Sequence, residues 1–463
     1  MPPIVLINAV GLTPKLLAHA PHLRALAAAG WSLPLDEVLP AVTCSAQATL
    51  LTGKSPSDHG IVANGWLFRD TREVRFWQQS NALIQAEPLY ATAARLAKEQ
   101  GRNFVTAKLF WWFNQGAAVE LSITPKPWYG VDGNKVFGIA GTPPLLAEKL
   151  EAKLGPFPFS SFWGPMAGLP CTQWIAKCAA SVVSDHTPDL TLVYLPHLDY
   201  EPQRHGPSGC DMAAQVRELD NACEPLLDAA RAKGAEVWVV SEYGHCDVTT
   251  PVYLNRILRK AGYLTARLGP FGEQLDFFDS RAFAVVDHQL AHVYVNKPSD
   301  VPAVAELLGG SPGVASVHNG AEALHSLGLN NPRSGEFVVL SEPHAWFAYP
   351  FWEDDALAPD FARAVAIHHK PGYDPAELFF DPALRFPKLR AARRLIQKKL
   401  GFRTIFDLVP LDAGIVRGSH GLRATNTEDK PILIGHGTKP AAAVLPMTAV
   451  RDVLLERLCV YRG

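Results

Sequence analysis

Long apolar runs are absent from this sequence. No uninterrupted stretch approaches the roughly 20 apolar residues that a helix needs to cross a bilayer. The chain starts with MPPIVLINAVGLTP, an apolar segment that has neither a basic region before it nor a small-residue cleavage site after it, unlike a secretory signal. These absences predict a cytoplasmic protein with no membrane-spanning segment.

A strong excess of charge of either sign is also missing. Lys and Arg number 43 against 45 Asp and Glu, which gives a net charge of -2. Binding to a nucleic acid polymer or to an anionic membrane usually depends on a basic excess, so neither partner is expected. A small anionic substrate remains compatible with this balance, because a local site can be positive in a neutral protein. The oligomeric state is left open.

Paired cysteine motifs are lacking as well. The chain has 7 cysteines, an odd number, and none of them form a CxxC pair. This usage favours reduced thiols over a disulfide framework.

Short β-branched runs alternate with longer helical segments in the first half of the chain. Predicted strands such as IVLIN, DLTLVYL and EVWVVS alternate with predicted helices such as LLAHAPHLRALAAAG and AAQVRELDNACEPLLDAARAKG. This alternation predicts an α/β fold with a mostly parallel central sheet flanked by helices. Ligands bind such sheets beyond the carboxyl ends of the strands, so the residues that follow IVLIN, VYL and WVVS are candidates for a site.

The pattern of apolar, aromatic and turn residues changes twice along the sequence, which predicts three parts. Residues 1–260 are expected to form the first part of the core, 261–335 a small α+β insertion or cap, and 336–463 covering loops and a return to the core. The segment GEFVVLSEPHAWFAY is expected to return toward the main sheet. The segment KLRAARRLIQKKL predicts a basic helix whose charges face solvent.

The segment LPAVTCSAQATLLTGKSPSDHGIVANGW carries the clearest chemical pattern. Thr43 stands at a predicted helix N-terminus, where backbone N–H groups and the helix dipole favour an anion. A threonine hydroxyl at such a place can serve as a nucleophile if a metal or a base activates it. The amide of Asn64 can donate to a phosphoryl oxygen as charge builds there. In isolation, each residue would more commonly be a helix cap or a turn residue.

This segment resembles the nucleophile region of the type I phosphodiesterase/nucleotide pyrophosphatase family in the alkaline phosphatase superfamily. The family has a threonine after a Pro-x-x turn, a TG pair that closes the next helix, and an HGI that leads to an asparagine. The resemblance covers residues 1 to 250 and 410 to 440 in order. It implies an alkaline-phosphatase-like fold, Thr43 as the nucleophile and Asn64 as a phosphate contact.

The resemblance also implies a metal site. In the family, two ions, usually zinc, share aspartates and histidines. Asp199 in HLDYEPQRHGP matches an aspartate ligand, and Gln203 stands at the offset of a histidine. Glu242 in SEYGHCD replaces an aspartate, and His420 in GSHG matches the late histidine. The cofactor implied is therefore a divalent metal, with zinc expected, one or two ions, and manganese as an alternative.

Two further family ligands are replaced by residues that are poor ligands or have no ligand atom. Val10 stands where the first strand should supply an aspartate, and Tyr243 where a histidine is expected. Either change should weaken binding of the ion that activates the nucleophile. His245 and Asp247 could substitute for Tyr243, and His205 for Gln203. Asn8 could take a shifted role in place of Val10, although a buried amide bonded to backbone is favoured. IHHKPGYDP offers His368 or His369 as a separate candidate ligand.

Aromatic and basic residues follow where the superfamily builds its substrate wall. Lys108, Trp111 and Trp128 are the candidates for substrate binding, since an aromatic wall can stack a flat group. The same residues could belong to the core. His288 and His292 in VVDHQLAH are four apart, as metal ligands on a helix would be, but their β-branched neighbours predict strands and a structural role.

These features together predict a metal-dependent phosphoric-ester hydrolase that uses a threonine nucleophile. The alternative is a non-hydrolytic, metal-poor relative that binds a phosphorylated metabolite or a biosynthetic partner, as Val10, Gln203 and Tyr243 suggest. A third option is a phosphoryl-transferring mutase. A sulfatase is excluded, because Cys44 is not followed by the Pro and Arg that formylglycine formation needs.

Overall fold

The computed structural model describes residues 2–131, 135–402 and 404–458. Nine strands form the central sheet. Their bounds are β1 (Ile4–Ala9), β2 (Trp31–Asp36), β5 (Thr106–Leu109), β6 (Leu121–Tyr129), β7 (Lys135–Thr142), β8 (Leu190–Leu195), β9 (Glu236–Val240), β20 (Ile432–Gly435) and β21 (Leu445–Pro446). Their order across the sheet is β21-β2-β20-β9-β1-β8-β5-β6-β7.

The middle of this sheet is parallel. Strands β9, β1, β8, β5 and β6 pair in parallel, whereas β7 and β20 run antiparallel to their neighbours. Every residue of β1 is buried, as expected for a strand covered on both faces. The predicted α/β class with a mostly parallel central sheet is therefore confirmed.

Helices cover both faces of the sheet. On one face, alternate β1 residues Val5 and Ile7 pack in a core with α1, α6 and α8, and on the other Ile4 and Leu6 pack with α2, α4 and α13. The bounds of the helices are α1 (Pro21–Ala29), α2 (Thr43–Thr52), α3 (Pro56–His59), α4 (Leu89–Glu99), α5 (Leu146–Leu154), α6 (Leu169–His186), α7 (Tyr200–His205), α8 (Met212–Ala232), α9 (Leu254–Lys260), α10 (Val301–Gly309), α11 (Ala321–Ser326), α12 (Pro387–Lys399) and α13 (Val450–Arg457).

A second, antiparallel sheet has four strands, β14 (Ala282–Asp287), β15 (Leu290–Val295), β16 (Val314–Asn319) and β17 (Phe337–Ser341), in the order β14-β15-β17-β16. The expectation that GEFVVLSEP returns toward the main sheet is wrong, because β17 pairs with β15 and β16 instead. All residues of β15 are buried, and so are all residues of β17 except Leu340. The boundaries of the three predicted parts stay a prediction.

Four two-stranded pairs complete the strands. They are β3 (Gly65–Phe68) with β4 (Glu73–Phe76), β10 (Cys246–Asp247) with β19 (Gly418–Ser419), β11 (Thr250–Val252) with β18 (Ala345–Phe347), and β12 (Ala266–Gly269) with β13 (Gly272–Leu275). The pair β10 and β19 matters for the site, because Cys246 lies opposite Ser419. Their chain neighbours His245 and His420 are thereby brought together from distant parts of the sequence.

Within the described ranges, no helix combines the length and the apolar character that crossing a bilayer requires.

Candidate active site

Thr43 is the first residue of α2, a helix whose ten residues are all buried. The helix ends at Thr52, and Gly53 follows with a φ of 64°, the left-handed conformation that glycine adopts without strain. The TG pair therefore closes the helix as predicted. The Thr43 side chain lies at the helix N-terminus and lines a large cleft, although the residue is only 4% exposed.

Tyr243 holds the hydroxyl of Thr43. The two hydroxyl oxygens are 3.0 Å apart, and Tyr243 Oη also donates to Asp199 Oδ1 at 3.2 Å. Burial raises the pKa of Tyr243 well above its ordinary value, so the phenol keeps its proton. Because that single proton points at Asp199, the Thr43 hydroxyl must donate to the phenol oxygen.

An Asp–His–His group lies beside this pair. One ligand atom from each of Asp199, His245 and His420 lies within 4.8 Å of the other two. His245 Nε2 is 3.0 Å and His420 Nε2 is 3.7 Å from Asp199 Oδ1. Burial alone would raise the pKa of Asp199, but the hydrogen bond from His245 and the nearby His420 lower it to about 2, so the carboxylate is ionised.

The tautomer of His420 suits a metal ligand. Its Nδ1 is 2.8 Å from the carbonyl oxygen of Ala41, which can only accept, so Nδ1 carries the proton. Nε2 is buried without a hydrogen-bond partner. Burial lowers the pKa of His420 well below its ordinary value, so the ring is neutral and its Nε2 lone pair faces Asp199. Two imidazoles and a carboxylate are donors that zinc or manganese accepts.

Gly11 makes room for this group. It follows β1 with a φ of 77°, and a Cβ at this position would lie 3.0 Å from His245 Cε1 and 3.1 Å from the Leu198 carbonyl oxygen. A side chain here would therefore push against His245. The glycine that the first strand retains after Val10 is explained by this close approach, whereas Val10 itself is a buried core residue.

The residues present fit one metal ion but not two. The Asp–His–His group is the one cluster of three or more His, Cys, Asp or Glu donors that could hold an ion among residues 2–131, 135–402 and 404–458. Glu242 is not part of it. At the two positions where the family resemblance implies an aspartate and a histidine for a second ion, the chain has Val10 and Tyr243.

Glu242 instead belongs to a buried amide network. Its Oε1 accepts from Asn8 Nδ2 at 2.5 Å and from Gln47 Nε2 at 2.7 Å. Burial raises the pKa of Glu242 to about 8, so the carboxyl is mostly protonated at neutral pH. Gln47 in turn accepts from the backbone N–H of Trp112. This network ties the ends of β1 and β9 to the middle of α2.

Gln203 and Asn64 are both buried and both bonded. Gln203 Oε1 accepts from Tyr373 Oη at 2.7 Å, which occupies the oxygen that would bind a metal. Asn64 Oδ1 accepts from the Cys44 backbone N–H at 2.9 Å, next to Thr43. Asn64 Nδ2 donates to Asp287 Oδ1 at 3.1 Å, and its second N–H is left for another acceptor.

His288, for which the sequence predicts a structural role, lines the cleft beside His420. His288 occupies the two-residue turn between β14 and β15 with a φ of 59°, an uncommon conformation for a non-glycine residue. Its ring stacks on Tyr373 at 3.8 Å and lies 3.7 Å from the His420 ring. Its Nδ1 is 2.8 Å from Asp287 Oδ1, and its buried Nε2 has no partner. His292, by contrast, donates to the Val62 carbonyl and has the structural role predicted for it.

The other predicted ligands lie apart from the Asp–His–His group. His368 lines the cleft and donates from Nδ1 to the Phe76 carbonyl oxygen at 3.2 Å. His205 is exposed and pairs with Glu201. Asp247 accepts from the Ser208 hydroxyl at 2.6 Å and from its backbone N–H at 3.1 Å.

The three predicted substrate contacts are not brought to the active site. Lys108 is fully buried and donates to the Phe113 carbonyl oxygen at 2.7 Å, and burial lowers its pKa to about 7. Trp111 is buried in the core between the sheet and α4. Trp128 is 51% exposed beneath Lys126, and it is the neighbours Lys126 and Tyr129 that line the cleft. Beside Thr43 the wall is formed by Trp112 and Trp77 instead.

The model of the type I phosphodiesterase/nucleotide pyrophosphatase family matches residues 4–374. The chain belongs to this family. Its activity is accordingly that of a phosphoester hydrolase, with the fold of the alkaline phosphatase superfamily. The match ends before His420, so the placement of that histidine depends on the geometry described above.

Solved structures share the fold at low sequence identity. Mouse ectonucleotide pyrophosphatase/phosphodiesterase 5 is 14% identical, with a TM-score of 0.57, over 99% of this chain and 95% of its own. Its human counterpart is 13% identical, with a TM-score of 0.59, over 100% and 96%. Phosphonoacetate hydrolase from Sinorhizobium meliloti 1021, in complex with phosphonoformate, is 15% identical, with a TM-score of 0.61, over 98% and 95%.

Proposed function

We propose that this chain hydrolyses a small phosphodiester by attack of Thr43 Oγ1 on phosphorus, with one divalent metal ion held by Asp199, His245 and His420. The single observation that carries the proposal is the position of the Thr43 hydroxyl. It lies at the N-terminus of α2 and is bonded to Tyr243, which is bonded to Asp199 of the Asp–His–His group. Nucleophile, anion site and metal ligands thus share one end of the cleft.

Each residue has a defined part in this proposal. A bound ion would act as a Lewis acid on a phosphoryl oxygen. The N–H groups at the start of α2 face the same phosphoryl group, and Asn64 has one N–H left to donate to it. Tyr243 accepts a hydrogen bond from the Thr43 hydroxyl and orients Oγ1. The bond from Oγ1 to phosphorus forms as the bond to the leaving oxygen breaks, and the Thr43 proton passes to that leaving oxygen. Water then adds its hydroxide to phosphorus and returns its proton to Oγ1, which releases Thr43.

The ligands of two structural neighbours are consistent with this chemistry. An inactive form of mouse ectonucleotide pyrophosphatase/phosphodiesterase 5, in which one threonine is replaced by alanine, was solved in complex with AMP. The Sinorhizobium hydrolase was solved with phosphonoacetate. Both ligands are small and carry a phosphorus group, which supports a small phosphorylated substrate here.

The non-hydrolytic, metal-poor binder is the weaker candidate, because three donors with a neutral His420 and an ionised Asp199 are retained. Elemental analysis separates the two after zinc or manganese loading and dialysis. The hydrolase should retain about one ion per chain, in keeping with a site of three protein ligands. A protein that retains none under any loading condition contradicts the hydrolase.

The nucleophile is tested by Thr43→Ala and Thr43→Ser in a metal-supplemented assay on nitrophenyl phosphodiesters and monoesters. We expect Thr43→Ala to lose about 10³-fold or more of kcat/KM, as removal of a nucleophile does. Thr43→Ser keeps a hydroxyl and should retain measurable turnover. Full activity in Thr43→Ala would refute the assignment.

A further inference from the structure

The cleft that ends at Thr43 is larger and more apolar than a small phosphoester needs. Its volume is about 1880 Å³, compared with roughly 300 to 1,000 Å³ for ordinary small-molecule sites. Aromatic side chains continue outward from the active site, with Trp77, Trp112 and Trp163 in the wall. Apolar side chains therefore form most of the wall of this cleft, which also holds Thr43, Asp199 and His420.

The apolar wall continues to the mouth of the cleft, where its side chains meet water. Seven apolar residues both line the cleft and are more than two-fifths exposed; these are Tyr129, Val131, Phe137, Met166, Leu395, Phe402 and Ile405. Exposed apolar surface of this extent usually marks a binding groove or an interaction site. Here it is continuous with the wall that leads to Thr43, which assigns it to the substrate of that residue.

One face of α12 forms part of this wall. Lys388, Ala391, Ala392, Leu395 and Lys398 line the cleft, and their spacing of three and four residues places them on one side of the helix. Lys398 Nζ donates to the Lys135 carbonyl oxygen at 3.2 Å, which links the helix to the hairpin of β6 and β7 across the cleft. The prediction that the charges of this helix face solvent is therefore wrong for Lys398, which is half-buried, whereas Lys388 is exposed.

The charge of the cleft is positive away from the metal ligands. Lys126, Lys135, Lys388 and Lys398 line it, and Asp199 is the acidic residue among the described lining residues. Lys135 Nζ lies 4.7 Å from the centre of the Phe137 ring, so cationic and apolar groups are interleaved. Such a surface suits a ligand that has both an anionic group and an apolar body.

We propose, on the basis of phosphoester hydrolysis at Thr43, that the substrate is an amphiphile: a phosphoester of a long alkyl or isoprenoid chain. Its phosphorus lies at Thr43 and its chain runs along the apolar wall to the mouth formed by α12 and the β6–β7 hairpin. A nucleoside, whose ribose is polar, would leave most of the apolar wall uncovered. An apolar chain instead covers the exposed side chains at the mouth.

The test compares two nitrophenyl phosphodiesters that differ only in an ethyl or an octyl ester group, both below the micellar concentration. Each methylene moved from water to an apolar wall favours binding about fourfold. After allowance for ordering of the chain, we expect kcat/KM to be at least about 100-fold higher for the octyl ester. Equal kcat/KM values for the two esters would overturn the proposal.

Two leucines on one helix provide the matched variants. Leu395→Ser changes a cleft-lining residue that is 52% exposed, and Leu389→Ser changes one that is 66% exposed and lies off the cleft. We expect Leu395→Ser to lower kcat/KM for the octyl ester about tenfold and to leave the ethyl ester within about twofold, since a partly exposed side chain is truncated. Leu389→Ser should change neither. Equal losses on both esters in Leu395→Ser would contradict the proposal.

Failure of the hydrolase assignment gives a different result. If the wild type cleaves neither ester, the proposed function fails. Binding of octyl phosphonate then tests, independently of hydrolysis, whether the cleft takes an amphiphile. Calorimetry should show that octyl phosphonate binds the wild type at least about tenfold more tightly than it binds Leu395→Ser, while ethyl phosphonate does not distinguish them. Equal binding of the two phosphonates to the wild type would overturn the amphiphile proposal.

Discussion

Replacement of Tyr243 by phenylalanine isolates the contact that orients the nucleophile. The change removes the hydroxyl that lies 3.0 Å from Thr43 Oγ1 and 3.2 Å from Asp199 Oδ1. The ring can keep its stack on His420, with centroids 3.6 Å apart and planes 8° from parallel. The position of the metal ligands should therefore survive while the Thr43 hydroxyl loses its acceptor.

The expected loss is mainly in kcat. A nucleophile that is displaced by about 1 Å can lose about 100-fold in rate, so we expect kcat of Tyr243→Phe to fall about 10- to 100-fold with little change in KM. Two buried groups lose a partner, which should lower the free energy of unfolding by about 1 to 3 kcal/mol. Bound metal per chain should stay unchanged.

Tyr294→Phe is the matched control. Tyr294 lies in β15 of the four-stranded sheet and is fully buried. Its hydroxyl donates to the Arg333 carbonyl oxygen at 2.7 Å and accepts from the Leu67 N–H at 3.2 Å. This variant should lose similar stability and retain the wild-type kcat. Steady-state kinetics on a nitrophenyl phosphodiester, urea unfolding and elemental analysis measure the three quantities. A wild-type kcat in Tyr243→Phe would refute the view that Tyr243 orients Thr43.

Two further predictions concern protons and metal. Burial raises the pKa of Glu242 to about 8 from an ordinary value of 4.5, so its contribution to stability is fully present below that ordinary value and is lost as pH rises toward 8. Urea unfolding of the metal-free protein should show the wild type losing stability relative to Glu242→Gln between about pH 5 and about pH 8, and parallel pH profiles would contradict this. His245→Ala should weaken zinc binding at least about 100-fold in competition with a chromophoric chelator, since a ligand is removed. His205→Ala, a change at an exposed histidine, should leave zinc binding intact, and equal losses in both variants would count against the Asp–His–His site.

Local spacing explains which parts of the site were predictable. The ends of three neighbouring parallel strands meet at one edge of a sheet, so residues after IVLIN, VYL and WVVS could be expected to converge. Asp199 and His245 follow two of those strands, and Thr43 and Gly53 bound a helix with a recognisable start and stop. Each of these signals lies within a few residues of sequence.

The remaining residues depend on contacts that no local pattern contains. His288 lies in the β14–β15 turn of the four-stranded sheet. It meets His420 only because that turn packs near the strand ends of the central sheet. Tyr373 reaches Gln203 across 170 residues of sequence. Trp112 lines the cleft in place of the predicted Trp111, because the chain leaves β5 through a turn in which Phe110 has a φ of 61°. A one-residue shift in an irregular turn decides which tryptophan faces the cleft.

Direct trapping of a covalent intermediate tests the attack of Thr43 most sharply. The protein would be mixed with a slow phosphodiester substrate, quenched in acid and digested, and the peptide that contains Thr43 examined by mass spectrometry. The account predicts a mass increase equal to the transferred phosphoryl moiety on Thr43 in the wild type, and none in Thr43→Ala. Turnover by the wild type that proceeds with the moiety on another residue, or undiminished turnover in Thr43→Ala, would contradict it.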